Sequence, residues 1–354
     1  MATIVTAYYN LQQEDQYYDY GQGRPHDVYM KHGESVLSIK LPMIIFCSPT
    51  VRDTIRTTRD RLCSGIQTLV ISLPFDQLPK YKYYDKMMDI KGKIKHNKYS
   101  AGYHLVVHSK VDFMLRSATE NPFNTNFFIW IDFGIRHISE IPPDIENVIL
   151  KLVNIDLRLD ILNYIPNDVN IKDLIDFCSK NISYVAGGCF MGKKDPLIAF
   201  CLKINEYFDY IISNNYLCLE EKLFAFYISN HKNDLDPYIS RFHNILFNIN
   251  HVTKDSDLCL GILKEESNNN NKLTLKLCDY ITGSNITDID KFKVLDIKML
   301  ACWYLDKKNL GVLCILEMIN LLRNPHVKSL FDNKINYYLN NFSFYINFLK
   351  NTLK

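Results

Sequence analysis

An α/β fold followed by an all-helical C-terminal appendage is the class this chain predicts, and three observations carry it. From Thr3 to about Asn250, apolar runs of strand character alternate with stretches of helical spacing, the pattern of a mostly parallel sheet with helices on both faces. The runs are short and apolar at successive positions, as strands covered on both sides are. Beyond about His251 the strand character stops and only helical spacing remains.

Thr3 to Tyr8 predicts the first strand and His26 to Ile39 a helix. Leu41 to Cys47 and Gln67 to Ser72 read as strands on either side of a helix over Val51 to Leu62, which Gly65 stops. Leu105 to Ala118 has helical spacing, and Phe127 to Asp132, Asn147 to Leu152 and Ile182 to Ala186 read as strands. Helices over Pro196 to Ile212 and Leu219 to Ser229 lead to a last strand at Ile245 to Ile249. Glu14 to Arg24, rich in Tyr, Asp, Gln and Gly, and Lys80 to Gly102, rich in Lys, lack core patterning and read as long loops of the kind that bind ligands.

The polar tract Ser267 to Asn271 is low in complexity, which sets a boundary near residue 250 and gives domains of 1–250 and 251–354. In the second, Ile289 to Leu305 and Gly311 to Leu322 flank the turn Asp306-Lys307-Lys308-Asn309, and Val327 to Lys350 continues with helical spacing. Trp303-Tyr304 and Gly311 resemble half of a tetratricopeptide hairpin, but no period of about 34 residues repeats. They read as packing, and these helices are candidates for oligomer contacts.

Of the 354 residues 47% are hydrophobic, which excludes disorder as the main state. Lys plus Arg number 41 and Asp plus Glu 39, so the charge excess that nucleic-acid binding needs is missing. Ten cysteines without a C-x-x-C pair read as buried thiols of a reducing compartment. The first residues lack a basic segment leading into an apolar one, and no run approaches the ~20 apolar residues of a membrane span. The expectation is a cytoplasmic protein without a transmembrane segment.

The chemistry begins at Phe127 to Gly134, an apolar strand ending in Asp132. Ligands of open α/β sheets bind outside the carboxyl ends of strands, and a carboxylate there can hold a divalent cation and through it a diphosphate. Asp132 can equally cap a turn. A strand ending in Asp is also compatible with a nucleoside-triphosphatase, and Gly187-Gly188-Cys189-Phe190-Met191-Gly192-Lys193 supplies a near match to its phosphate loop. However, the next residue is Lys194 where a metal-binding hydroxyl is needed, and the segment follows the aspartate strand instead of preceding it. Gly187 and Gly188 otherwise suit a close approach of backbone to a ligand, or a tight turn. Lys110 is placed to neutralise a diphosphate, or is a solvated helix lysine. Glu220 and Glu221 open a helix, where the dipole favours acids, or one of them serves as general base. Tyr8 is a candidate platform for stacking a base. No H-E-x-x-H, no G-x-S-x-G and no early G-x-G-x-x-G occurs.

These residues, in this order, resemble the HtrL/YibB-like family, which looks like a divergent group of GT-A glycosyltransferases. The resemblance covers about residues 3 to 250. It rests on Ile4-Val5-Thr6-Ala7-Tyr8, on Ser109-Lys110, and above all on Asn121-Pro122-Phe123-Asn124-Thr125 running into Trp130-Ile131-Asp132-Phe133-Gly134-Ile135-Arg136. Gly187-Gly188 and Glu220-Glu221 extend it. It implies a GT-A-like fold, a Rossmann-like mixed sheet flanked by helices, and transfer of a sugar from a nucleoside-diphosphate donor, UDP above all, to a glycan or other hydroxyl acceptor. By the same resemblance Val5, Thr6, Ala7 and Tyr8 meet the nucleoside, Lys110 the diphosphate, Gly187 and Gly188 the donor sugar, and Glu220 and Glu221 the acceptor. Asp132 would hold Mn²⁺ or Mg²⁺ as the first acid of a D-x-D motif, whose second acid is replaced here by Gly134. That replacement supports a rival reading, a non-catalytic sugar-nucleotide-binding or scaffold protein on a degenerate GT-A fold.

Overall fold

The structure is a computed structural model that describes residues 1–15, 25–93, 99–231, 235–239, 245–246, 271–282, 287–331 and 334–335. It divides into two compact units, Met1–Asn250 and His251–Lys354.

The first unit is built on a seven-stranded sheet in the order β3-β2-β1-β4-β6-β5-β7. Its strands are β1 (Ala2–Tyr8), β2 (Met43–Cys47), β3 (Thr68–Ser72), β4 (Phe127–Ile131), β5 (Leu157–Ile161), β6 (Val185–Lys193) and β7 (Asp236–Ile239). The helices between them are α1 (Leu11–Glu14), α2 (His26–Leu37), α3 (Arg52–Leu62), α4 (Tyr84–Lys93), α5 (Ala101–Glu120), α6 (Ile145–Lys151), α7 (Leu174–Ser179), α8 (Lys194–Ser213) and α9 (Glu220–His231). All pairings are parallel except those of β6, which runs antiparallel to both β4 and β5. This is the expected Rossmann-like mixed sheet with flanking helices.

The order matters for function. From β1 the chain lays β2 and β3 on one side, then returns to place β4 on the other. Between β1 and β4 the direction of winding reverses, which opens a crevice outside their carboxyl ends. Because β6 is antiparallel, its amino end reaches the same edge, with Cys189 opposite Ile131.

Local chemistry explains how β4 is entered. Ser100 caps α5 by accepting from the Tyr103 N–H at 3.0 Å, and Asn121 ends the helix in the left-handed region at φ 42°. The Asn121 side chain then accepts from the Thr125 N–H and donates to the Thr125 carbonyl, both at 2.9 Å. The Asn121 to Thr125 motif is thus a clamp that turns α5 into β4.

Four sequence readings are corrected. Asn147 to Leu152 lies in α6 and its following turn, not in a strand: Ile145, Val148, Ile149 and Leu152 are buried at the i, i+3, i+4, i+7 spacing of a helix face. The true strand, β5, was hidden because Arg158 and Asp160 interrupt its apolar pattern, yet both are buried. Lys80 to Gly102 is not one long loop, since it contains α4 with Tyr84, Met87 and Ile90 buried. Lys80 itself is buried and ion-paired with Asp112, with Asn205 accepting from it at 2.7 Å. Finally, the strand placed at Ile182 to Ala186 starts at Val185 and continues through the supposed phosphate loop to Lys193, so those residues form no loop at all. Of the strand placed at Ile245 to Ile249, only 245–246 are described, and they form a turn; most of the Glu14 to Arg24 stretch also falls outside the described residues.

The second unit comprises α10 (Asn271–Thr282), α11 (Asp288–Tyr304) and α12 (Lys308–Leu321) among its described residues. Phe292, Leu295, Met299, Val312, Ile315 and Met318 form its core. A Cβ at Gly311 would sit 3.2 Å from the Trp303 ring, so the Trp and Gly signals record the close packing of this hairpin. The nine described cysteines are buried free thiols. No helix among the described residues is long and apolar enough to cross a membrane.

Arg59 of α3 is fully buried and donates to the carbonyls of Leu37, Ile39 and Leu41 at 2.6, 2.7 and 2.8 Å. It thereby fixes the passage from α2 to β2. Arg59→Ala orphans three buried acceptors and is expected to lower stability by about 3 kcal/mol or more in urea unfolding; a loss under about 1 kcal/mol would mean that water replaces the guanidinium.

Candidate active site

At the carboxyl end of β4, beside β6 and the start of α9, charge gathers around one lysine. Lys110 lies on the buried face of α5, and its ammonium meets Asp132 just past β4, at 2.9 Å to Oδ1 and 3.2 Å to Oδ2. It also donates to Glu220 Oε1 at 2.6 Å, at the start of α9, and to the Gly187 carbonyl of β6 at 3.2 Å. Side-chain exposure ranks the three charges: Lys110 at 7% and Glu220 at 6% are enclosed, whereas Asp132 at 30% faces the crevice.

Each partner is held in turn. Trp130 Nε1 donates to Asp132 Oδ1 at 2.7 Å, and the Asp132 N–H bonds the Gly188 carbonyl at 2.9 Å. The glycines are required by what lies over them. A Cβ at Gly187 would stand 2.5 Å from Glu220 Oε1, and one at Gly188 would stand 2.7 Å from Ile135 Cδ1. Glu220 and Glu221 occupy the first turn of α9, where the dipole favours negative charge. His108 of α5 bonds the Cys218 carbonyl through Nε2 at 2.8 Å, which fixes the approach to that turn.

Burial decides the protonation of this cluster. On its own it would push Lys110 down, but Asp132 and then Glu220 overcome it and hold the ammonium above its usual value. Glu220 is pushed up by burial against the pull of Lys110. Glu221, which has no ion pair among the described residues, is pushed up to about 7 by burial and by Glu220, while the Gly187 N–H opposes the rise. Tyr103, two turns before Lys110 on α5, has a phenol raised by burial and by Glu220, which places it beside the same charges. Its ring stacks on Tyr99 at 4.5 Å.

The structure therefore brings together Asp132, Lys110, Gly187, Gly188, Glu220 and Glu221. It does not bring Val5 or Thr6 to the crevice: both are fully buried within β1 and have no exposed surface to offer a nucleoside. Ala7 is partly exposed. Tyr8 lies at the strand's end, but its ring is buried, stacked on Phe133 at 4.8 Å, and its hydroxyl is hydrogen-bonded to His26 Nδ1 at 2.8 Å. It is not a free platform in this arrangement. Sequence reasoning missed Tyr103 and the indole of Trp130, because neither spacing nor composition reports contacts between helix and strand.

The donor set does not fit a divalent cation as it stands. Both Asp132 oxygens already face the Lys110 ammonium, and no group of three or more His, Cys, Asp or Glu residues among those described is arranged to hold a metal. At Gly134 a Cβ would fall 2.8 Å from the Tyr29 ring, so the second acid of a D-x-D motif has no room.

A family model described as a bacterial protein of unknown function, HtrL_YibB, matches residues 1–239. Protein HtrL of Escherichia coli (strain K12) is 21% identical over 235 residues, covering 63% of this chain and 82% of that protein. Among solved structures, mouse xyloside xylosyltransferase 1 in its apo form is similar with a TM-score of 0.37 and 9% identity, covering 68% of this chain and 85% of that chain.

The protonation of Glu221 has a consequence for stability. Its carboxyl is raised from an ordinary value of 4.5 to about 7, so its favourable contribution is complete below the ordinary value and is lost as pH rises through about 7. Glu221→Gln should therefore match the wild-type melting temperature near pH 4.5 and exceed it at pH 8. The same difference at both pH values would show that this carboxyl ionises like an exposed one.

Proposed function

The chain belongs to the HtrL/YibB family of bacterial proteins of unknown function, and we propose that its first unit is a glycosyltransferase acting on a nucleoside-diphosphate sugar, UDP-linked in the first instance. The acceptor is a hydroxyl of a glycan or another molecule. One observation carries the reading: a buried lysine joins Asp132, at the carboxyl end of β4, to Glu220, at the amino end of α9, where the winding of the sheet reverses.

The chemistry of sugar transfer asks for that arrangement. As the bond between the anomeric carbon and the diphosphate breaks, negative charge grows on the leaving oxygens, and a fixed N–H donor stabilises it without reorganising. Lys110 is such a donor, held by Glu220 and the Gly187 carbonyl. The exposed edge of Asp132 faces the donor, and Gly187 and Gly188 leave room for Glu220 and Ile135 to close against β6 behind it. The acceptor belongs on the α9 side, beside Glu220 and Glu221. Positioning and charge supply most of the rate in such a site.

A second reading has its own support. Asp132 is fully engaged by Lys110 and Trp130, and Gly134 offers no second acid, which suits a protein that binds sugar nucleotides without turning them over. A panel of UDP- and GDP-sugars, with and without Mn²⁺, separates the two by donor hydrolysis and by thermal shift. Turnover with any donor favours the enzyme, stabilisation without turnover favours the binder, and neither response would sink both.

Asp132→Asn and Lys110→Met are expected to abolish donor-induced stabilisation and to cut turnover by at least ~100-fold, in line with loss of a preorganised electrostatic partner. Donor affinity unchanged in Asp132→Asn would remove that residue from the site.

A further inference from the structure

The two adjacent glutamates of α9 are equivalent in sequence but differ in their surroundings. Glu220 is enclosed at 6% side-chain exposure, its Oε1 is 2.6 Å from the Lys110 ammonium, and it is backed against Gly187 so closely that a Cβ there would be 2.5 Å away. A carboxylate committed in this way cannot turn to receive a proton from an incoming hydroxyl. Glu221 is only partly buried and accepts from the Gly187 N–H. It stands over the same glycine, its Cβ 3.7 Å from where a Gly187 Cβ would lie. It therefore keeps an oxygen for a ligand on the side that the sugar would occupy.

We infer that Glu221 takes the acceptor's proton in a single displacement that inverts the anomeric carbon, and that Glu220 is a positioning residue that holds Lys110. This rests on the transferase reading. The acceptor oxygen bonds to the anomeric carbon while the bond from that carbon to the diphosphate oxygen breaks. The electron pair of the broken bond leaves with the diphosphate, and the acceptor's proton passes to Glu221. Direct attack of the acceptor oxygen on the face opposite the departing diphosphate gives inversion.

The groups around Glu221 are consistent with proton transfer near neutrality. Glu220 and Lys222 flank it on its own helix, and Lys110 faces it from α5. The Lys222 ammonium is turned away to the Lys180 and Ile182 carbonyls, both at 2.6 Å, after the end of α7. From that side α7 adds only the Cys178 thiol near Lys222. α8 meets α9 through Phe200 against Phe224 and Tyr227, and β6 offers the Gly187 backbone.

The test uses the full chain and the same panel of UDP- and GDP-sugars, with water or an added glycan as acceptor. The anomer first released from the wild-type protein, read by proton NMR before mutarotation, should be opposite to that of the donor. Glu221→Gln should keep the donor-induced thermal shift, lose ~100-fold or more of the turnover and lose the rise of rate with pH toward 7. Glu220→Gln should weaken donor binding but keep that rise. A retained anomer, or full turnover in Glu221→Gln, overturns this assignment while leaving the transferase intact. If no donor on the panel binds, the transferase reading itself fails and the assignment goes with it.

Discussion

The ammonium of Lys110 is the constraint on which the first unit's crevice depends. A charge that is 7% exposed cannot be left without partners, because desolvation of an unpaired ion costs several kcal/mol. Its partners come from β4, β6 and α9, so satisfying one side chain fixes the separation of a strand end, a neighbouring antiparallel strand and a helix start. α5 can carry that side chain to the right place because it is clamped at both ends, by Ser100 and by Asn121. The same helix pins Asp15, which bonds the Gly102 N–H at 3.1 Å. A Cβ at Gly102 would fall 2.3 Å from that carboxylate, so the contact exists only with glycine there.

A layer of aromatic rings surrounds the cluster and sets its electrostatics. Trp130 stacks between Phe113 of α5 at 6.3 Å and Phe190 of β6 at 6.2 Å, and Phe190 packs on Phe200 and Phe224. In such surroundings the effective dielectric is low and each charge contact is stronger than it is in water. This explains how residues from one neighbourhood depart in opposite senses. His104 is driven down to about 4 by burial, whereas Glu221 is driven up to about 7. Burial disfavours the charged form in both, which lowers an imidazole and raises a carboxyl.

Much of this was legible in the sequence, and the reason differs from residue to residue. Asp132 announces itself because a strand of five buried residues ends on it. Gly187-Gly188 and Glu220-Glu221 are recognisable as pairs, but that one lies over the other is a fact of β6 against α9. Lys110 could be read from its place before the aspartate strand as a diphosphate partner or as a solvated lysine, and only the resemblance favoured the first, since nothing local distinguishes a buried ammonium from a solvated one. Lys80 shows the same limit, since it belongs to the lysine-rich stretch that reads as a loop and is in fact paired inside. The Arg158 and Asp160 positions concealed β5 because burial of charge is a tertiary event. Val5 and Thr6 were carried along with Tyr8 by the motif, but β1 is an inner strand covered on both faces and leaves neither side chain exposed.

Saturation of the lysine also determines how an anionic ligand can enter. Lys110 has three N–H bonds, and Glu220, Asp132 and the Gly187 carbonyl take all of them. On the proposed transferase reading a diphosphate oxygen would have to share the ammonium with these acceptors, and the three are not equal. Glu220 is enclosed and would be left as an uncompensated buried charge, and the Gly187 carbonyl belongs to a strand that cannot move. Asp132 is 30% exposed and is held by the Trp130 indole as well as by the ammonium. Of the three contacts, the one to Asp132 is therefore the one nearest to solvent. On the proposed transferase reading, a near-neutral chain can serve an anionic donor because the positive charge it needs is concentrated at one buried lysine.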